Sequence, residues 1–137
     1  MKKMIDSSIK EFTIEYAQKE DVVSQWKEPL TAYADAADPL FKKLKEVISP
    51  THQLPTELLD AAETVITFFL PFIEEINKSN IEGRMSSKQW ANAYRETNEL
   101  IMEINKHIKK ILNNKGYNST VIAATHNFRE DELISDW

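Results

Sequence analysis

The chain has 137 residues, 42 % of them hydrophobic, which is enough to bury one core, and no shift in composition divides it. Its 17 basic and 22 acidic residues give a net charge of −5 without any run of five Lys or Arg, which argues against nucleic-acid binding by this chain alone. Because it contains no Cys, disulfides, thiol catalysis and thiolate ligation of an iron–sulfur cluster are excluded.

Neither a leader nor a membrane span is predicted. The amino-terminal residues meet Asp6 before any apolar run, which argues against a signal peptide. The longest apolar stretch, residues 65–73, is too short to cross a bilayer. We therefore expect a cytoplasmic protein without a membrane partner, organised as a single α/β domain over residues 1–137.

The first two predicted elements are a helix and a strand. Residues 5–18 place apolar side chains three and four positions apart, which is the spacing of a helix with one apolar face. Residues 27–34 favour a short strand, because they are rich in extended-state residues and proline is tolerated at the first position of a strand.

The next segment carries the clearest helix start. Asp38 can accept hydrogen bonds from unpaired amides, and Pro39 at the first helical position loses no hydrogen bond. The helix is expected to end at Ser49, because the residue before Pro50 is disfavoured in the helical conformation. A second proline-led helix is predicted at residues 55–59.

A strand and a long helix dominate the second half. Residues 64–70 are dense in β-branched and aromatic side chains without polar alternation, which predicts a central strand buried on both faces. After a polar loop, residues 86–89 match a capping box of Ser and Gln. They begin a long helix at about 87–114, which ends ahead of Gly116.

The last elements decide the predicted fold class. Residues 119–124 offer a third strand, and residues 129–134 a final helical turn. Helix-length segments separate the strand candidates, which indicates βαβ units. We therefore predict an α/β fold with a small, mainly parallel sheet of three or four strands, packed by helices that include the long one. Such a sheet leaves edges to cover, so self-association as a homodimer is expected.

Polar residues after two of the predicted strands form a candidate ligand-binding set. Asp35 follows the first strand, and His126 and Asn127 follow the third. In a parallel sheet these positions share one edge, near the Tyr94 and Asn98 face of the long helix. The competing role of Asp35 is that of a turn residue, and that of His126 is a hydrogen bond at the strand end.

The aromatic residues fall into two groups. Trp26 and Trp137 lie in segments without a predicted element and are candidates for an interface with another domain or subunit. Trp90 and Tyr94 stand at helical spacing, for which core packing is favoured over a cofactor wall.

No catalytic or metal-binding set is predicted. The histidines are too far apart in sequence for a metal-ligand spacing: His52, His107 and His126. We expect His52 in a local structural role and His107 on the solvated surface. With only two glycines, a phosphate-cradling loop is effectively excluded.

Several short stretches carry a family resemblance. They are residues 26–30 (WKEPL), 33–36 (YADA), 38–41 (DPLF), 54–55 (LP), 65–72 (VITFFLPF), 90–98 (WANAYRETN) and 124–128 (ATHNF). Together they resemble the amino-terminal half of iron–sulfur proteins related to epoxyqueuosine reductase. Residues 133–137 are similar to a stretch that lies in mid-protein in that family, so we expect the cysteine-bearing carboxy-terminal half to lie outside this chain.

The resemblance implies a role for the domain but not the reaction. In the family, this half helps enclose a corrinoid or the substrate, while the other half holds two four-iron clusters and delivers electrons. The resemblance therefore implies a chain that binds no cofactor alone, with a corrinoid in full-length relatives. Where the tRNA-modifying enzymes carry an Asp-Tyr-His pattern, the long helix has residues 94–98 (YRETN), so the queuosine reaction is not carried over.

Three functional interpretations follow. The chain is the cluster-free domain of a larger reductase, inactive alone and joined to a cluster-bearing carboxy-terminal partner. Alternatively, it is a free-standing module that binds a small ligand or a protein, including a second copy of itself, with no redox role. The third interpretation, a complete small enzyme, is the least favoured, because no nucleophile–base pair is visible in the sequence.

Overall fold

The computed structural model describes residues 1–122, 128–129 and 134–135. The helices are α1 (Lys2–Tyr16), α2 (Pro39–Val47), α3 (Pro55–Leu58), α4 (Glu74–Ser79) and α5 (Lys88–Asn114). The strands are β1 (Leu30–Asp35), β2 (Thr64–Phe69), β3 (Phe128–Arg129) and β4 (Ile134–Ser135). Within the described part of the chain, no helix combines the length and apolar character needed to cross a membrane.

The chain divides into two compact units. The first contains residues 1–31 and 68–115, and the second contains residues 32–67 with the described residues from 116 onward. Both paired strands, β1 and β2, pass from one unit into the other. One domain over residues 1–137 stays a prediction.

The core of the first unit lies between α1 and α5. Helix α1 buries Ile5 and Ile9 on the apolar face that the spacing predicts. Helix α5 buries the matching stripe of Ala93, Leu100 and Ile104, each with no exposed surface. The two helices run antiparallel, because residues near 8 meet residues near 107 while residues near 16 meet residues near 99.

The second unit is built on capped short helices. The Asp38 carboxylate accepts a hydrogen bond from the Leu40 amide at 2.8 Å, and Pro39 opens α2, so this predicted helix start is confirmed. At α3, the Glu57 carboxylate accepts from the Leu54 amide at 2.7 Å. His52 is 5 % exposed, in agreement with its predicted structural role.

The predicted parallel sheet is wrong. Strands β1 and β2 pair antiparallel: the Lys27 amide donates to the Pro71 carbonyl at 2.8 Å, and the Ala36 amide donates to the Glu63 carbonyl at 3.0 Å. The residue numbers of the hydrogen-bonded partners therefore decrease from 71 to 63 as the numbers on the other strand increase from 27 to 36. The connection includes helix-length segments, but their length alone does not force a crossover to a parallel strand.

Three further predictions about extended and terminal segments differ from the structure. Strand β2 is not buried on both faces, since none of its residues is fully buried and Phe69 is 63 % exposed. Residues 119–122 of the predicted third strand lie in no strand, and residues 123–124 lie outside the described residues. The two described ends of the predicted final helical turn lie in strands, since β3 and β4 pair antiparallel with Arg129 opposite Ile134, and residues 130–133 lie outside the described residues.

The predictions of α1, α2, α3 and α5 are confirmed apart from details at the ends. The cap of α5 is Ser87 rather than Ser86: its Oγ accepts from the Trp90 amide at 3.0 Å, which shifts Gln89 out of the predicted capping box. Gly116 follows the helix with φ of 82°, the left-handed conformation that glycine adopts without strain. Helix α4 was missed, because its polar sequence suggested a loop.

Candidate functional site

A buried glutamate ties the segment after α1 to α5. Glu96 stands on the buried stripe of α5 and is only 2 % exposed. Its Oε2 accepts a hydrogen bond from the Ser24 amide at 2.8 Å, and its Oε1 lies 3.3 Å from the Arg95 guanidinium. A carboxylate in this position is tolerated because both oxygens have donors, which offset the cost of burial.

A tyrosine lies beside this carboxylate. Tyr16 is 5 % exposed, and its hydroxyl donates to Glu99 Oε2 at 3.5 Å. Arg95 donates to the other oxygen of Glu99 at 2.9 Å, so one guanidinium serves both glutamates. Burial raises the pKa of Tyr16, and the negative charges of Glu99, Glu96 and Asp21 raise it further.

The raised pKa of Tyr16 makes the first unit sensitive to alkaline pH. The Tyr16 contribution to stability is complete below pH 10.0, the ordinary tyrosine value, and we expect it to be lost as the pH rises through the higher folded-state value. In a titration of tyrosinate absorbance, Tyr16→Phe should remove the latest step. The exposed Tyr117 supplies the control, and a late step that survives Tyr16→Phe but disappears in Tyr117→Phe would contradict the assignment.

Trp26 packs on the same cluster. Its indole N–H donates to Thr97 Oγ1 at 2.8 Å, and its ring meets the Tyr16 ring edge-on with centroids 6.0 Å apart. Two of the stretches that carry the family resemblance, residues 26–30 and 90–98, are therefore packed together. Trp26 is half-buried by these contacts, and its role at an interface stays a prediction.

The predicted residues Tyr94 and Asn98 form one face of α5 together with Trp90, and on this face Tyr94 is exposed whereas Trp90 and Asn98 are half-buried. Tyr94 is 58 % exposed, and its ring stacks on Trp90 with centroids 5.5 Å apart and an interplanar angle of 16°. The prediction that Tyr94 packs in the core is therefore wrong. The Asn98 side-chain amide donates to the Tyr94 carbonyl at 2.9 Å, which places both predicted ligand residues on one stretch of helix.

Of the other predicted ligand-binding residues, the structure describes only Asp35. Asp35 is exposed in the second unit, and its carboxylate accepts from the Ala37 amide at 2.8 Å, as a turn residue does. His126, Asn127 and Trp137 lie outside the described residues. The parallel strands that were expected to bring Asp35 and His126 to one edge are not those of the structure.

Sequence reasoning missed a contact between serine and histidine. Ser8 Oγ of α1 lies 2.8 Å from His107 Nε2 of α5, and the His107 ring lies 4.8 Å from the ring of Phe12. His107 is thus half-buried rather than on the solvated surface. The available signal was its place next to Ile108 on the buried stripe, and the contact joins the two main helices.

The described residues contain no group of three or more His, Asp or Glu side chains suited to a metal ion. The first unit contains one buried carboxylate, Glu96, one buried phenol, Tyr16, and an aromatic pair in which Trp90 is half-buried and Tyr94 is exposed. Comparison of the chain with protein-family models, with curated proteins and with solved structures finds no match. The family resemblance accordingly rests on the residues quoted above.

Proposed function

We propose that this chain is the cluster-free domain of a cytoplasmic iron–sulfur reductase related to epoxyqueuosine reductase. In this role it encloses a substrate or corrinoid, or serves subunit assembly, and it is not catalytic by itself. Residues 94–98 lack the Asp-Tyr-His pattern of the tRNA-modifying enzymes, so the queuosine reaction is not part of this role.

The observation that carries the proposal is the packing of the resembling stretches on each other. Trp26 donates to Thr97 across 71 residues of sequence, and Ser24, two residues before Trp26, donates to Glu96 across 72. Two of the stretches that carry the resemblance thus pack together within the first unit. This supports a common domain better than isolated short matches would.

The cysteine count indicates which part of the proposed reductase binds the iron–sulfur clusters. Cysteine thiolates are the usual ligands of a four-iron cluster, and residues 1–137 supply none. The clusters therefore belong to a cysteine-bearing segment or subunit outside these residues. What this domain offers a corrinoid is one aromatic wall, formed by Trp90 and Tyr94, with the Asn98 amide beside it.

A corrinoid titration tests the proposal. The visible spectrum of hydroxocobalamin should change on addition of the protein, and Tyr94→Ala should weaken binding by about two- to tenfold, because aromatic stacking contributes about 0.5–1.5 kcal/mol. Tyr117→Ala is the matched control, since Tyr117 is 55 % exposed against 58 % for Tyr94. Equal binding by the two variants would remove Tyr94 from the site.

A free-standing binding module is the second candidate, and exposed apolar side chains favour it. Ile81 and Met85, four residues apart between α4 and α5, are 75 % and 88 % exposed and are therefore accessible to a partner. A hydroxocobalamin spectrum unchanged at excess protein would favour this module over the reductase domain. A pull-down with the purified chain would then be the next measurement.

A further inference from the structure

The fold gathers positive charge at one end of the α1 and α5 pair. Residues 1–5 and 104–115 contain six of the 17 basic residues and none of the 22 acidic ones. The six lysines are exposed: Lys2, Lys3, Lys106, Lys109, Lys110 and Lys115. We call them the lysine end. The rest of the chain contains eleven basic and 22 acidic residues, so the charge of the lysine end is opposite in sign to the net charge of the protein.

The antiparallel helix pair creates this surface from distant parts of the sequence. The contact between Ser8 and His107 fixes the register of α1 on α5. From that contact, Lys2 lies about 9 Å along α1, and the last turn of α5 lies about 10 Å along the same direction, at 1.5 Å per residue. The lysines of both helices therefore share one end of the pair, which no basic run in the sequence indicates.

Helix electrostatics accounts for only part of this arrangement. Lys115, the residue that caps the carboxyl end of α5, is favourable for the dipole of this helix. Lys2 and Lys3, however, occupy the first turn of α1, where a helix dipole disfavours cations, and this turn has neither an acidic residue nor a side-chain cap. Lys106 forms an ion pair with Glu103, a neighbour on its own helix, at 2.7 Å.

We propose that the lysine end is a docking surface for an acidic protein. All six charged side chains are lysines. A lysine ammonium acts as a hydrated point charge and favours electrostatic association with an acidic surface, whereas bidentate recognition of phosphate is typical of arginine. The aromatic ring that a nucleic-acid base would need is also missing from residues 1–5 and 104–115, apart from His107, which is held by Ser8 and Phe12. Met1 is the one exposed large apolar residue there, too little to anchor in a membrane.

Binding of poly-L-glutamate, a stand-in for an acidic protein surface, tests the proposal. At about 20 mM salt the wild-type chain should bind labelled polyglutamate, and at about 150 mM salt binding should weaken because the charges are screened. The double variant Lys109→Glu and Lys110→Glu should weaken binding about tenfold. Lys2→Glu with Lys3→Glu should weaken it as well, since these lysines reach the same surface from the other helix.

The matched control is Lys42→Glu with Lys43→Glu, an adjacent exposed lysine pair on α2 with the same change in net charge. This variant should bind polyglutamate as the wild type does. Equal loss in the control and lysine-end variants would overturn the proposal, because binding would then follow net charge alone. Failure of the wild type to bind, or tighter binding to poly(U) or to phosphatidylglycerol vesicles, would overturn the assignment to an acidic protein.

Discussion

Replacing Leu100 by alanine should lower the free energy of unfolding by about 3 kcal/mol. Leu100 has no exposed surface and lies on the α5 stripe that faces the core of the first unit. The substitution removes buried methyl groups and leaves a cavity, since the neighbouring helix relaxes only in part. Alanine has the highest helix propensity, so the loss reports packing rather than helix formation.

Urea unfolding followed by circular dichroism measures this loss. Met102→Ala is the control on the same helix, because Met102 is 55 % exposed and its removal should change stability by no more than about 0.5 kcal/mol. If the two variants unfolded at the same urea concentration, Leu100 would not occupy the core of this fold.

Replacing Glu96 by alanine should cost about 2–3 kcal/mol, because the Ser24 amide loses its acceptor within a buried site. The Arg95 side chain is 59 % exposed and can turn to water, so the penalty arises mainly from the unpaired amide. Glu96→Gln keeps an acceptor oxygen for Ser24 and should lose about 1 kcal/mol.

The control for Glu96 is its neighbour one turn along α5. Glu99 also pairs with Arg95 and accepts a long hydrogen bond from Tyr16, but its side chain is 45 % exposed, so Glu99→Ala should cost no more than about 1 kcal/mol. Unfolding in urea should therefore rank the variants by burial of the replaced carboxylate. Equal losses for Glu96→Ala and Glu99→Ala would show that the hydrogen bond to Ser24 contributes little.

Residue patterns predicted the helices well because the signals that begin and end a helix are local. Asp38 with Pro39 predicted the start of α2, and Gly116 predicted the end of α5, since each acts on amides or carbonyls within a few residues. The direction in which two strands pair is not set by local signals. The pairing of Ala36 with Glu63 depends on how the intervening residues turn back, which period and composition do not encode.

The candidate site shows the same difference between local and long-range signals. Tyr94 and Asn98 could be selected together because they are one helical turn apart, whereas Asp35 and His126 were linked through a parallel sheet that the structure does not contain. Glu96 escaped attention because an acidic residue on a helix usually faces water. Its burial depends on the hydrogen bond from the Ser24 amide, which lies 72 residues away in the sequence.

The sequence by itself determined the amphipathic faces of α1 and α5, the caps of α2, and the absence of any thiolate ligand. Each of these follows from residue identity or from spacings shorter than one or two helical turns. Only the tertiary structure decided the antiparallel pairing of β1 with β2, the burial of Glu96 and the convergence of the lysine end. These features depend on contacts between segments far apart in the chain, such as Ser8 with His107 across 99 residues, and such contacts form only when apolar faces pack.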